Sequence, residues 1–284
     1  MKASVIIPTY NEEKVIKDCI KSLEEQTFKN FEVIIVDDGS TDRTWNIVNS
    51  LKSLFINLKS FQQKHLGPGI ARNLGSKYAT GEVLVFVDAD MTFDKNFIKN
   101  LINPIIQKTA VGTFSKDEFV LNKDNIWSKC WNINKGLPLD RMHPKNYPDT
   151  QPVFRAILKK EFDKADGFKP IGYIDDYTLS EKLGVHAVAA PGAIFYHKNP
   201  DNLFEIFNQA RWVGKSEYKR RKIKNENLMR FVALVRYSFL FSIIHGLLGA
   251  LKHNLPHYLI FKIIYDFATE VSLIGSFFGE QKYK

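Results

Sequence analysis

Residues 31–45 read FEVIIVDDGSTDRTW. A run that is apolar at every position but one meets two adjacent carboxylates, then a glycine and a string of hydroxyls. An apolar run this short, closed by turn residues, is a strand buried on both faces. Asp-Asp-Gly-Ser-Thr-Asp is turn chemistry, because short polar side chains fold back onto backbone N–H groups and glycine supplies the turn. Residues 42–54 then have helical spacing, with Ser40 or Thr41 as the N-cap. Strand, polar turn and helix together make the repeating unit of a parallel sheet.

The unit recurs on both sides. Residues 3–8 (ASVIIP) form a buried strand, and 12–26 place Val15, Ile16, Cys19, Ile20 and Leu23 on one helical face. Residues 58–62 are a strand, and 67–79 a helix opened by Gly-Pro-Gly. Residues 82–87 are another buried strand, and 93–107 another helix. This alternation predicts an α/β sheet with helices on both faces. From 110 to 200 the pattern is mixed: AVGTFSKDEF, NIWSKCWNINKG and PVFRAILKKEF read as strands and loops. Residues 175–183 read as a short helix, and 186–197 as an extended run broken at Pro191-Gly192.

Composition narrows the function classes. The two cysteines, Cys19 and Cys130, are far apart, so neither a disulfide framework nor a zinc cluster is expected and a reducing compartment fits. The stretch Ala3 to Ile7, closed by Pro8, is shorter than a signal-peptide core. The formal charge is +9, and it sits in the tail. From Lys215 onward 12 Lys/Arg face 5 Asp/Glu, a net of +7; the first 214 residues hold 28 against 26, a net of +2. A body so nearly neutral argues against nucleic acid and directs attention to what the tail touches. The tail opens with KSEYKRRKIK (215–224). Residues 231–251 are then interrupted only by Arg236 and His245, and 255–279 carry Lys262, Asp266 and Glu270. The first apolar run is marginal for a membrane span and the second is too charged. Interfacial amphipathic helices, with the basic stretch on anionic lipid, are expected. The same helices would alternatively cap the body or join two copies of the chain.

Ligands of open α/β sheets lie beyond the carboxyl ends of the strands. Those ends here are PTYNEE, VDDGSTD and VDADM. In the last, Asp88 and Asp90 stand one residue apart. Either they form a solvated turn, or they offer hard oxygen ligands to Mg²⁺ or Mn²⁺ together with substrate phosphates. Of Asp37 and Asp38, one would serve the turn and the other a nucleobase or ribose. Tyr10 offers an aromatic face for a base.

Taken in order, VIIPTYNEE, VIIVDDGSTDRT, GPGIARNLG and ATGEVLVFVDAD span about ninety residues. They resemble the second family of glycosyltransferases, inverting nucleotide-sugar enzymes. The likeness continues through FDKADGFKPIGYIDDYTLSEKLG, which is similar to that family's "GGF … ED … L … RL" segment. It implies a GT-A type, Rossmann-like mixed sheet flanked by helices over residues 1–214. A basic, hydrophobic helical appendage would follow over 215–284. It implies a nucleotide-diphosphate sugar donor, with Pro8, Tyr10, Glu12, Asp38, Arg72 and Asp88 at the nucleotide and sugar. Asp90 and His197 would ligate Mg²⁺ or Mn²⁺, and Asp176 would be the catalytic base. His197 could instead be a hydrogen-bonded strand-end histidine, and Asp176 or Asp175 an N-cap. The implied acceptor is lipid-linked or a glycan, met at the cytoplasmic face of the cell membrane.

The chain departs from the family pattern in three places. Its acidic pair is Asp175-Asp176 rather than Glu-Asp. Asp166 stands where glycine is usual. NQARW (208–212) sets its glutamine one residue too near Arg211 to match the QxxRW signature of processive synthases. Two other classes stand beside this reading. One is a catalytically silent nucleotide-sugar-binding scaffold. The other is a sugar nucleotidyltransferase, for which PTYNEE lacks the glycine-rich loop.

Overall fold

A computed structural model describes residues 1–52, 57–144, 146–170, 175–217 and 226–278. The chain gathers into two compact units: 1–119 with 145–197, and 120–144 with 198–284.

The first unit opens with β1 (Ala3–Thr9), α1 (Ile16–Glu24), β2 (Phe31–Asp37), α2 (Thr44–Leu51), β3 (Leu58–Gln62), α3 (Pro68–Lys77) and β4 (Val83–Phe86). Strands β3, β2, β1 and β4 lie side by side and run parallel. Alternate residues of each strand feed opposite cores. Val5, Ile7, Val33, Ile35, Val83 and Val85 join Ile16, Cys19, Leu23 and Val48 on one face. Ile6, Ile34, Val36, Leu84 and Phe86 join Ala71 and Leu179 on the other. This two-sided burial is why the strands read as continuous apolar runs. Helix α3 approaches the sheet so closely at Gly75 that an added Cβ would stand 2.6 Å from Ile6 Cγ2.

The chain continues with β5 (Met91–Phe93), α4 (Phe97–Ile106), β6 (Gly112–Phe114), β7 (Glu118–Val120) and α5 (Ile126–Lys135). After β8 (Thr150–Gln151) come β9 (Ala156–Leu158), α6 (Lys159–Lys164), a 3-10 turn at Asp175–Tyr177, α7 (Thr178–Leu183), β10 (Ala187–Ala189) and β11 (Phe195–His197). Strand β9 lies antiparallel between β4 and β6, so the full order is β3-β2-β1-β4-β9-β6-β10-β8 and the sheet is mixed. A smaller sheet, β5-β11-β7, stands apart from it in pairing.

Three local expectations change. Helix α2 starts at Thr44 with Arg43 in the N-cap position, so neither Ser40 nor Thr41 caps it. The helix expected from 93 starts at Phe97, because Phe93 is taken into β5 and pairs with Phe195. NIWSKCWNINKG, expected among strands and loops, is helix α5. The Asn125 side chain caps it by accepting from Trp127 N and Ser128 N, and Gly136 closes it at φ +67°.

The second unit adds α8 (Leu203–Glu217), α9 (Glu226–Tyr237), α10 (Phe239–His253) and α11 (His257–Phe278) to α5. Its core joins Cys130 and Trp131 of α5, Ile206 and Ala210 of α8, and Tyr258, Phe261, Tyr265 and Ala268 of α11. The boundary expected at 214/215 falls inside α8, whose apolar face belongs to this core from Ile206 on. The apolar run 231–251 is two helices, parted at Ser238, which is extended at ψ +153°. Among the described residues no helix is long and apolar enough to cross a membrane. Most of the basic stretch 215–224 lies outside the described residues.

Candidate functional site

The parallel pairing aligns the polar strand ends. Thr9 pairs with Asp37, and the Asp38 N–H donates to the Thr9 carbonyl at 2.8 Å. Val87 N–H donates to Ile6 O at 3.2 Å, which carries Asp88 to the same edge. Pro8 lies within β1 opposite Val36. Asn11 sits at φ +57°, its amide oxygen accepting from Thr41 N and its own N–H donating to Ser40 Oγ. Glu12 begins the next turn, its N–H donating to Thr44 Oγ1 at 2.7 Å.

The two acids after β2 divide their work. Asp37 ties its own turn, accepting from the Ser40 N–H and hydroxyl and from Gln62 Nε2. Asp38, 2% exposed, accepts from Leu66 N and Gly67 N, both at 2.9 Å, and from Gln63 Nε2 at 2.6 Å. His65 Nδ1 stands 2.9 Å from its Oδ2. Asp38 therefore organises the 63–67 loop. The His65 ring in turn stacks on Tyr10, with centroids 4.0 Å apart and planes 20° from parallel.

A charge network, buried at Arg72 and Asp175 and partly open at Asp88 and Arg155, forms the centre. Arg72, on α3, gives Nη2 to Asp88 at 2.7 Å and Nη1 to Asp175 at 3.3 Å. Arg155 gives Nη1 to the other Asp88 oxygen at 3.1 Å. Burial would raise the Asp88 carboxyl, but the two guanidinium groups outweigh it and hold it well below the usual carboxylate range. Asp175 behaves oppositely: burial pushes it up to about 8 against the pull of Arg72, with a further push from its hydrogen bond with Asp176. Asp175 thus keeps its proton at neutral pH. Gly69 makes room for this, since a Cβ there would collide with the Asp175 carboxylate. Residues 171–174, just before the pair, lie outside the described residues.

Asp90 and His197 meet beside the network. Pairing of β5 with β11 sets His197 opposite Met91, and His197 Nε2 lies 2.9 Å from Asp90 Oδ2. Glu118 holds the other ring nitrogen, Nδ1, at 2.9 Å. Burial would disfavour the imidazolium, yet Asp90 and Glu118 keep its pKa well above the ordinary value. A carboxylate oxygen and an imidazole nitrogen converging on one point, with a carboxylate behind the histidine, suit a divalent cation. Among the described residues no group of three or more His, Cys, Asp or Glu is arranged to hold an ion. Asp90 and His197 are thus two candidate ligands, and a cation held by them would need further ligands from a bound molecule.

Of the residues singled out from sequence, Arg72 and Asp88 meet in one network with Asp175, Asp90 meets His197, and Pro8, Tyr10, Glu12 and Asp38 lie at or beside the strand ends; Arg155, Glu118 and His65 join these contacts without having been singled out. Arg155 had a signal: it is a lone charge in the apolar run PVFRAIL, and its carbonyl pairs with Phe86 N–H, next to the Asp88 strand end. Asp166 has φ +51°, so the left-handed conformation that favours glycine is kept with an aspartate. Arg211 lies over the Phe207 ring within α8, and its carbonyl accepts from Ser272 on α11.

The comparisons with known proteins bear on the family and the fold. The model of the family described as Glycosyl transferase family 2 matches residues 4–165, more than half of the chain. The poly(ribitol-phosphate) beta-glucosyltransferase of Bacillus spizizenii is 42% identical over 179 residues, which is 57% of this chain and 26% of that protein. The poly(ribitol-phosphate) beta-N-acetylglucosaminyltransferase TarS of Staphylococcus aureus is 43% identical over 103 residues, 35% of this chain and 18% of that one. The Escherichia coli enzyme WfaP, a UDP-Glc:alpha-D-GlcNAc-diphosphoundecaprenol beta-1,3-glucosyltransferase, is 36% identical over 141 residues, 48% of this chain and 55% of its own. The chain thus spans about a fifth of the length of TarS and about half that of WfaP. Among solved structures, the mannosyltransferase PcManGT of Pyrobaculum calidifontis with GDP-Man and Mn²⁺ superposes with a TM-score of 0.62 at 19% identity, covering 97% of this chain and 87% of that one. TarS residues 1–349 with UDP-GlcNAc superpose at 0.57 and 21% identity, covering 97% and 92%. These likenesses show the expected mixed α/β glycosyltransferase fold, and the family match makes this chain a member of glycosyl transferase family 2.

Proposed function

We propose that the chain is a metal-dependent, inverting glycosyltransferase that moves a sugar from a nucleotide-diphosphate donor to an acceptor hydroxyl. The observation that carries this reading is the Arg72 guanidinium, which binds Asp88 at the donor-side strand end with one nitrogen and Asp175 of the acidic pair with another. One buried cation thereby couples the end that would hold the donor to the end that would hold the base.

Tyr10 and Asp38, through the 63–67 loop, shape the base end; Pro8 and Glu12 flank the nucleoside, and Asp88 with Arg72 faces the sugar and ribose. The acceptor oxygen attacks the anomeric carbon from the face opposite the diphosphate, and its proton passes to an Asp176 carboxylate oxygen. The bond from the anomeric carbon to the diphosphate oxygen breaks, and that oxygen keeps the electron pair. Asp90 and His197 would hold Mg²⁺ or Mn²⁺, which when bound neutralises the charge gathering on the leaving diphosphate. Glu118 keeps the His197 ring turned toward Asp90.

Two relatives support a lipid-linked or polymeric acceptor, since their names give diphosphoundecaprenol-linked GlcNAc and poly(ribitol phosphate) as acceptors. We place the enzyme at the cytoplasmic face of the cell membrane, with the basic tail toward lipid. The alternative is a silent nucleotide-sugar-binding scaffold. Release of nucleotide from a donor series, with and without Mn²⁺, separates the two, because a scaffold releases none. Asp176→Asn should lower transfer by about 10²–10⁴-fold with the melting temperature and circular dichroism unchanged. Full transfer by a folded Asp176→Asn variant would remove Asp176 from the role of base.

A further inference from the structure

Helix α10 is built inside out. Its edge against α11 is small and polar: Ser242 and Gly246 are buried, and a Cβ at Gly249 would collide with Tyr258. A Cβ at Gly246 would meet Leu259 Cδ1 at 2.8 Å. Behind that edge Asp266, fully buried, accepts from Ser242 Oγ at 2.8 Å and from Lys262 Nζ at 2.7 Å. The large apolar side chains point the other way. Leu240, Ile244, Leu247, Leu248 and Leu251 recur at the spacing of one helical face and are 45–79% exposed. A helix packed for water would bury these and expose the serine and glycines. Small residues at the helix–helix contact and large apolar residues outward are the arrangement of a helix whose surroundings are hydrocarbon.

We propose that the Leu240–Leu251 face of α10 is a docking surface for an anionic lipid bilayer, in whose interface the helix lies flat. Charge selects this occupant. Residues 227–261 contain three Lys/Arg (Arg230, Arg236 and Lys252) and no Asp or Glu, while Lys262 is held by the buried Asp266. Basic residues beside an apolar face match anionic headgroups over acyl chains. A second copy of the chain would bring the same positive segment against itself, which electrostatic complementarity disfavours. Length selects the orientation: 15 residues extend about 22 Å, short of the roughly 30 Å hydrocarbon core. The inference specifies the surface by which the chain would reach the membrane named above. Its test needs no catalysis, so it stands or falls apart from the assignment of Asp90 and Asp176.

The test is flotation of the full chain with vesicles of phosphatidylcholine alone, and of phosphatidylcholine with one third phosphatidylglycerol, at low and high salt. The expected result is flotation with the anionic vesicles, weakened by salt. Leu247→Ser/Leu251→Ser should lower the partition coefficient at least about tenfold, because two leucine side chains no longer leave water. Lys252→Gln should weaken binding to anionic vesicles only. Melting temperature, donor hydrolysis and light-scattering mass are recorded in parallel. If the double variant loses its melting transition, Leu251→Ser alone, at the most exposed position, replaces it. Wild type that stays out of both vesicle fractions overturns the proposal, as does a folded variant that floats like wild type. A wild-type dimer that the double variant turns into monomer, with flotation unchanged, assigns the face to a second copy instead.

Discussion

The sheet of the first unit and helix α10 of the second have nearly the same apolar content per residue, and they use it in opposite senses. In β1, β2 and β4 every large apolar side chain is withdrawn from water, and polar residues collect where the strands end. In α10 the large side chains are outside and the withdrawn groups are serine, glycine and, behind them, an aspartate–lysine pair. Hydrophobicity of a segment therefore says that it leaves water and not what it leaves water for. The strands leave it for helices on both faces, and the inferred destination of α10 is lipid.

The sharpest way to break this contrast is at the charges that each region buries. Arg72 is 7% exposed and hydrogen-bonds two acids. Replacing it with methionine leaves Asp88 with Arg155 alone and Asp175 without a cation. Arg72→Met should destabilise by about 1–3 kcal/mol, because the buried Asp175 carboxyl loses a hydrogen-bond donor and Asp88 is left with Arg155 alone. Arg155→Met, which removes a contact to one acid, should destabilise less. Urea unfolding of the two variants checks the order; equal losses would mean that Arg72 does not bridge the two acids.

A smaller effect is a change of slope with pH. The folded-state pKa of Asp175 is raised from the ordinary carboxylate range to about 8, by burial first. The proton it holds stabilises the fold fully below the unfolded pKa, and that contribution fades as pH rises through about 8. Wild-type melting temperature should therefore fall between pH 5 and pH 8.5 by more than that of Asp175→Asn, whose side chain is neutral throughout. Parallel curves for the two proteins would place the carboxylate in its ordinary range.

What was legible in the sequence follows from distance along the chain. PTYNEE, VDDGSTD and VDADM were readable because each is a strand, a turn and a helix start made by neighbouring residues. Arg155 and Glu118 were not, because β9 pairing beside β4 brings the first to Asp88, and β7 and β11 sharing a sheet bring the second to His197. Neither contact leaves a periodic trace. Asp38 was read for the base, whereas its oxygens are engaged by the 63–67 loop, twenty-five or more residues away. Helix α5 was missed because Trp, Asn and Cys are weak helix formers, and its stability comes from an asparagine cap and the packing of Trp131.

The smallest expected effect bears most directly on the contrast. Ile34 lies fully buried between the sheet and α3, and Ile34→Ala should lower stability by about 2–5 kcal/mol through lost burial and a cavity. Leu247 is 47% exposed on α10, and Leu247→Ala should change stability in water by less than about 0.5 kcal/mol. Both substitutions remove the same number of carbons from a branched aliphatic side chain, so the ratio reports surroundings and not chemistry. Denaturant titration of each variant, without vesicles, measures it. A Leu247→Ala loss as large as that of Ile34→Ala would mean that the face is already covered by protein in solution, and the outward leucines would then be a core rather than a surface.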